Sequence, residues 1–249
     1  YLPSEGEVFV DGEPVTGPNR HVAFMLQKDL LLPWRTIREN IEFGLEIRHV
    51  DAAQRRDTAM RLLNKCRLSG FENHYPHQLS GGMRQRVMIA IALACKPRLL
   101  FADEPTTALD VTVQAQVMEL LSELRQEMGM SMVIVTHDLG VVAGHTDRIA
   151  VMYAGEVVEI APTKQLFANM QMPYTEALMK SIPRLDSPSG QRLPVISGRL
   201  PDPTQPETGC SFASRCPYVT DKCRASAPPL VEVAPMHSYR CWFPIGGSR

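Results

Sequence analysis

Leu79-Ser-Gly-Gly-Met-Arg-Gln-Arg-Val87 and, a short way on, Leu99-Leu-Phe-Ala-Asp-Glu-Pro-Thr-Thr-Ala-Leu-Asp110 decide how this chain reads. Ser80 followed by Gly81 and Gly82 puts an N-cap and two bare positions at the start of an apolar helix. The serine accepts from early backbone amides, and the glycines let those amides approach a phosphate at the helix's positive end. An ordinary capped helix whose glycines only make a turn would carry the same residues. Leu99–Ala102 reads as a short buried strand, so Asp103 and Glu104 stand at its carboxyl end, where open α/β sheets bind ligands. One carboxylate suits Mg²⁺ held through its water shell, and the next suits a hydrolytic water. Two solvated acids at a strand end are the plainer reading, and the Pro-Thr-Thr-Ala-Leu-Asp that follows argues against it.

Working outward, Val8–Val10 and Val22–Met25 predict short strands. Thr36 with Glu39 forms a capping box that starts a helix to about Arg48, and Asp51 caps a second, charged helix to about Cys66. Residues 28–78 thus read as a helical insert. The helix after Ser80 carries Val87, Ile91 and Ala94 on one face, and Asp110 caps another helix to about Met128. Met132–Val135 predicts a strand with His137 just beyond its carboxyl end, and Gln27 follows the strand Val22–Met25 in the same way. His137 in that order suits contact with a γ-phosphate, and Gln27 suits a metal or water. Singly, each residue also fits an ordinary loop. Strands alternating with helices argue for an α/β domain with a largely parallel sheet. Ile149–Tyr153 and Val157–Ala161, joined through Ala154-Gly155, predict an antiparallel hairpin at its edge.

The 249 residues suffice for one large domain with a small appendage, and 44% apolar content supports a sizeable core. A net charge of -1 leaves no basic footprint for nucleic acid or an anionic membrane surface. Val87–Cys95 falls far short of the ~20 residues that span a bilayer. The opening Tyr1-Leu-Pro-Ser-Glu-Gly6 has no signal-peptide pattern, which points to the cytosol. No Met opens the chain and Glu7-Val-Phe-Val-Asp-Gly12 reads as mid-sheet, so an N-terminal piece is expected to be missing. Ser187–Gly209, rich in Pro, Gly and Ser, reads as a linker or irregular wrap, and a boundary is expected near residue 185.

Taken together the motifs resemble ATP-binding cassette (ABC) proteins. Leu79–Met83 looks like their signature, Leu99–Glu104 like the Walker B strand with its catalytic glutamate, and Thr107–Asp110 like the D-loop. Thr136-His137-Asp138 resembles the switch histidine and Gln27 the Q-loop. The likeness covers residues 1–185, with residues 28–95 as the helical subdomain that carries the signature. It implies a parallel-sheet P-loop NTPase core, a nucleotide-binding subunit of an importer, and ATP with Mg²⁺ as ligands. On this resemblance two such subunits, identical or not, clamp ATP head to tail against transmembrane permease subunits, with a solute-binding protein as an indirect partner. Ser80, Gly81 and Gly82 would cover the γ-phosphate held by the other subunit. Asp103 would position Mg²⁺, Glu104 polarise water, His137 stabilise developing charge, and Gln27 link the site to the permease. Asp110 belongs to the nucleotide-facing D-loop on the same likeness. The location implied is the cytoplasmic face of the inner membrane.

No G-x-x-x-x-G-K-[ST] loop occurs, and the resemblance puts one roughly 30 residues before Tyr1. Truncation before that loop is therefore expected, and the chain as it stands should hydrolyse ATP poorly or not at all. A non-catalytic subunit offering only its signature face is the alternative. From Val87 onward the chain resembles the oligopeptide/dipeptide branch, including Pro173–Met179 and Gly209–Pro217. Leu26–Ile41 and Leu68–His77 resemble instead the nitrate, sulfonate and taurine branch, which keeps import of such solutes open. An ABC protein of DNA repair would need a long coiled coil or large insertion between Gln27 and Leu79, and neither is present. In residues 186–249, expected to be a small irregular region, Cys210, Cys216, Cys223 and Cys241 suit a metal or iron–sulfur site better than disulfides in a cytosolic protein. Some relatives of this tail hold a [4Fe–4S] cluster, which is the reading taken here, with four unligated cysteines as the other. Cys66 and Cys95 read as small core residues.

Overall fold

A computed structural model describes residues 5–10, 12–182, 194–202, 204 and 208–246. The chain divides into two compact units, one running to His137 and one from Asp138 onward.

In the first unit, β1 (Phe9–Val10) and β2 (Glu13–Pro14) form a short antiparallel pair. Three apolar strands then lie side by side and parallel: β3 (Val22–Met25), β4 (Leu99–Asp103) and β5 (Ser131–Val135), with β4 central. Val22 pairs with Leu99 and Leu99 with Ser131, so all three strands end together at one carboxyl edge. The helices between them are α1 (Ile37–Ile47), α2 (Ala52–Lys65), α3 (Gly81–Ala94) and α4 (Val111–Met128).

Their starts are fixed by local hydrogen bonds. Thr36 and Glu39 close the expected capping box on α1, and Asp51 accepts from Ala53 and Gln54 at the start of α2. Ser80 accepts from Met83 and Asp110 from Val113. α4 ends on Gly129, whose φ of 62° supplies the left-handed stop that a side chain would disfavour.

For α3 the expected single apolar face understates the burial. Val87–Ala90 and Ala92–Ala94 are all buried while Ile91 is only half-buried, because α3 packs against α1, α2, α4 and β3 at once. A helix enclosed on several sides has no polar face to keep. One face of the parallel sheet, including Leu100 and Ala102, is buried. On the other, Phe24 stacks on Phe101 with ring centroids 5.0 Å apart, and Phe24, Val133 and Val135 are exposed.

The second unit holds α5 (Leu139–His145), β6 (Arg148–Tyr153), β7 (Glu156–Pro162), α6 (Thr163–Ala168), α7 (Pro173–Lys180), α8 (Asp221–Ala225), β8 (Val231–Ala234) and β9 (His237–Tyr239). The expected hairpin is present. Ala154 and Gly155 both take positive φ, 48° and 82°, as a tight two-residue turn requires. Its sheet partners differ from expectation: β6 and β7 join β9 and β8 in a four-stranded antiparallel sheet, order β6-β7-β9-β8, separate from the parallel one. The tail beyond residue 186, expected to be irregular, thus supplies two strands and a helix.

Tyr153, Tyr174 and Phe212 meet edge-on or tilted in this unit's core, with centroids 4.6–5.3 Å apart. Glu159 on β7 is fully buried and accepts from the Gln171 and Met172 amides at 2.6 and 3.1 Å, with His237 Nε2 at 2.9 Å. Of the predicted linker, residues 187–193, 203 and 205–207 lie outside the described residues. Among the described residues, no helix is long and apolar enough to cross a membrane.

Candidate functional site

The parallel register dictates what gathers at the sheet's carboxyl edge. Met25 pairs with Ala102, and Asp103, the last residue of β4, with Val135, so Gln27, Glu104 and His137 emerge just beyond their strand ends at the same edge as Asp103. The Glu104 amide donates to the Val135 carbonyl at 2.8 Å, carrying the ladder one residue past β4. There the backbone turns into the left-handed region, φ 49°, which is strained for a side-chain-bearing residue.

That turn aims the Glu104 carboxylate at two partners. His137 Nδ1 lies 2.7 Å from Oε1, and the Thr107 hydroxyl donates to Oε2 at 2.5 Å. The Thr107 bond first and the His137 bond second hold this carboxyl below its ordinary value, so it is ionised at neutral pH. An ionised carboxylate of lowered basicity suits orienting and polarising a water better than stripping a proton from it outright. Glu104 is half-buried while His137 is exposed, so the pair opens to solvent on the histidine side.

Asp103 is half-buried directly before Glu104. Mg²⁺ needs only one or two carboxylates beside phosphate oxygens and waters, and Asp103 supplies a hard oxygen donor of that kind. Bound there, the ion would neutralise phosphate charge. Gln27 is exposed.

The signature run lies next to the loop that follows Glu104. A Cβ added at Gly81 would come 3.6 Å from Leu109 Cδ2, an ordinary contact. At Gly82 it would meet Val113 Cγ1 at 2.5 Å, a distance real Cβ atoms do not show. The two glycines therefore do different work: Gly81 keeps an exposed helix start bare, and Gly82 lets α3 pack against the first turn of α4. Sequence reasoning treated them alike. It also missed Thr107, whose place three residues after Glu104 in a tight turn (Thr107 amide to Glu104 carbonyl, 3.1 Å) was the available signal. Asp110 acts here as the cap of α4, its Oδ1 accepting from the Val113 amide at 2.9 Å.

The four tail cysteines line one cavity of about 20 Å³ with Phe212, Tyr218 and Trp242. Burial pushes the Cys210 thiol up and the Cys241 thiol up to about 11. The expected [4Fe–4S] site is not present as such. The cavity has room for about one water, and among the described residues no group of three or more His, Cys, Asp or Glu is disposed to hold a metal ion. Cys66, fully buried with its thiol pushed up to about 12, fits the expected core role, and Cys95 is half-buried.

Residues 1–107 match the ABC transporter family, and residues 158–223 match the oligopeptide/dipeptide transporter C-terminal region. A probable peptide ABC transporter ATP-binding protein of Sinorhizobium fredii is 47% identical over 216 residues, 85% of this chain and 64% of that one. A putative peptide import ATP-binding protein of Brucella melitensis is 42% identical over 236 residues, 91% of this chain and 70% of that one. This chain therefore spans about two thirds of the length of these relatives. Among solved structures, the dimeric cassette MJ0796 bound to ADP and Pi matches with a TM-score of 0.58 and 36% identity over 66% of this chain and 75% of that one. The cbiO1 subunit of a Clostridium perfringens ABC transporter complex matches with a TM-score of 0.62 and 27% identity over 67% and 69%.

Proposed function

Because the chain belongs to the ABC transporter ATP-binding family, we propose that it is the nucleotide-binding subunit of a peptide importer. It works at the cytoplasmic face of the membrane, against transmembrane permease subunits and a second ATP-binding subunit. The observation that carries the reading is the Glu104–His137 pair beyond β4 and β5, with the capped start of α3 alongside. Ser80, Gly81 and Gly82 present backbone amides to the γ-phosphate of a nucleotide held by the second subunit. Asp103 holds Mg²⁺, Glu104 orients the attacking water, and His137 steadies the carboxylate and the developing charge. Gln27, beyond β3, carries the state of the site to the permease, and Asp110 shapes the loop facing the nucleotide. Closure on ATP and release after hydrolysis then drive the permease between its two access states.

Peptide as cargo is supported by the match over residues 158–223 and by the names of the relatives. A solute-binding protein would deliver it. Residues 28–78 meet the permease and set partner choice on this reading, and their likeness to the nitrate, sulfonate and taurine branch makes such solutes the alternative cargo. Uptake of a labelled dipeptide against taurine separates the two.

In an assembled importer whose ATP-binding subunit carries a phosphate-binding loop joined to this chain, Glu104→Gln is expected to lower ATP turnover by about 100-fold or more while leaving ATP binding intact. Unchanged turnover would refute a catalytic role and leave a subunit that lends only its signature face. The tail cysteines carry a second reading, a [4Fe–4S] cluster, favoured by their convergence on one cavity, which would have to open to admit it. Anaerobically purified protein lacking both iron and sulfide would remove that reading.

A further inference from the structure

Three successive residues on the first turns of α3 reach three different parts of the unit. Arg84 Nε donates to Asp29 Oδ2 at 2.9 Å, two residues past Gln27. Arg86 Nη2 donates to Gln116 Oε1 on α4 at 2.9 Å. Between them Gln85 Nε2 donates to the Pro105 carbonyl at 2.6 Å, on the residue that follows Glu104.

The Gln85 bond lands where the backbone most needs support. Glu104 and Ala108 both hold positive φ, 49° and 61°, in a loop of side-chain-bearing residues. Pro105 has no N–H to contribute. Within the loop the backbone bonds are Thr107 amide to Glu104 carbonyl at 3.1 Å and Leu109 amide to Thr106 carbonyl at 3.3 Å. Strained backbone of this kind persists only where its surroundings over-determine it. The amide of Gln85 supplies one such restraint from a different element, short and partly shielded from water.

We propose that Gln85 is a positioning residue for Glu104. Its bond to the Pro105 carbonyl ties the helix begun by Ser80, Gly81 and Gly82 to the loop that aims the carboxylate, so a displacement of α3 is transmitted to Glu104. The consequence rests on reading Glu104 as the water-orienting group. Through Gln85 one stretch of chain then links the signature face, turned toward one nucleotide, with the carboxylate serving the other.

The test needs no nucleotide, so it stands or falls apart from the ATPase reading, which the turnover of Glu104→Gln decides. Gln85→Met keeps length and volume but removes the donor, and Gln85→Lys restores a donor of similar reach. Two readouts are taken on the full chain: amide hydrogen exchange, and the carbon-13 shift of the Glu104 carboxylate at one fixed neutral pH, assigned through Glu104→Gln. In Gln85→Met the Thr107 and Leu109 amides should exchange at least tenfold faster, with amides in the middle of α1 and α4 unchanged, and the Glu104 carboxylate resonance should move. Gln85→Lys should return both toward wild type. Exchange within twofold of wild type at Thr107 and Leu109 would overturn the proposal, as would an unmoved Glu104 resonance or equal acceleration throughout the unit.

Discussion

Replacing Gly82 by alanine adds one methyl group in a helix, where alanine is ordinarily the better residue by about 1 kcal/mol. Here the new Cβ would stand 2.5 Å from Val113 Cγ1. Valine is stiff at χ1 in a helix, so it cannot simply turn away. Moving Val113 would also disturb the cap of α4, because its amide donates to Asp110 Oδ1 at 2.9 Å. Overpacking of this kind costs about 1–3 kcal/mol. Set against the helix gain, Gly82→Ala should destabilise the first unit by about 0–2 kcal/mol. Gly81→Ala meets only Leu109 at 3.6 Å and should be neutral or stabilising. The contrast between the two substitutions, about 1–3 kcal/mol, is the more trustworthy quantity because both share the same helix terminus. It should fall below about 0.5 kcal/mol in a Val113→Ala background, where the obstructing methyl is gone. Native-state hydrogen exchange of amides in the middle of α3 and α4 gives the opening free energies of this unit by itself. Equal stability of Gly81→Ala and Gly82→Ala with Val113 in place would refute the reasoning, and Gly82 would then be an ordinary phosphate-facing glycine.

Two other outcomes follow from buried or paired acids. Glu159→Leu leaves the Gln171 and Met172 amides and His237 without their shared acceptor, and should cost the second unit about 3–5 kcal/mol. Urea unfolding followed by Trp242 fluorescence in a Trp34→Phe background reads it, and a loss below about 1 kcal/mol would contradict the staple. Folding lowers the Glu104 carboxyl below its reference value of 4.5, so its ionised form contributes stability above that pH. The contribution is lost as pH falls through the lowered value. Thr107→Val, by removing the largest cause, should raise the Glu104 midpoint and shrink this acid-side loss. An unmoved midpoint in a carbon-13 titration would show that the Thr107 bond does not form in solution.

The features that sequence alone predicted correctly are the local ones. Thr36 with Glu39, Asp51, Ser80 and Asp110 all cap their helices, because a cap is decided within three or four residues. Leu99–Ala102 and Met132–Val135 are apolar enough to be strands wherever they sit, and their parallel pairing follows from the helices between them. What joins distant stretches leaves no such trace. Nothing in Met-Arg-Gln-Arg says that Gln85 reaches Pro105 or that Arg84 reaches Asp29, and the Gly82–Val113 contact becomes visible only once α3 and α4 pack. β8 carries an apolar–polar alternation too short to stand out, and its burial does not follow that alternation: Val231, Glu232 and Val233 are all exposed. Only pairing with β9 makes it a strand, at the sheet's edge. Burial of Glu159 likewise depends on His237, far along the chain, and no periodicity announces it.

The central claim is that the start of α3 faces the terminal phosphate of a nucleotide bound by a second subunit. Gly81→Asp tests it without unfolding the helix, since Gly81 has room for a side chain and an acidic residue in a first turn favours the helix. The assembled importer, supplied with Mg²⁺ and an ATP analogue bearing a photoreactive group on its γ-phosphate, would be irradiated and the labelled peptides mapped. The account predicts label on Ser80–Met83 of this chain, lost in Gly81→Asp while that variant's melting temperature holds or rises. Label absent from those residues in the native chain, or undiminished by the aspartate, would contradict it.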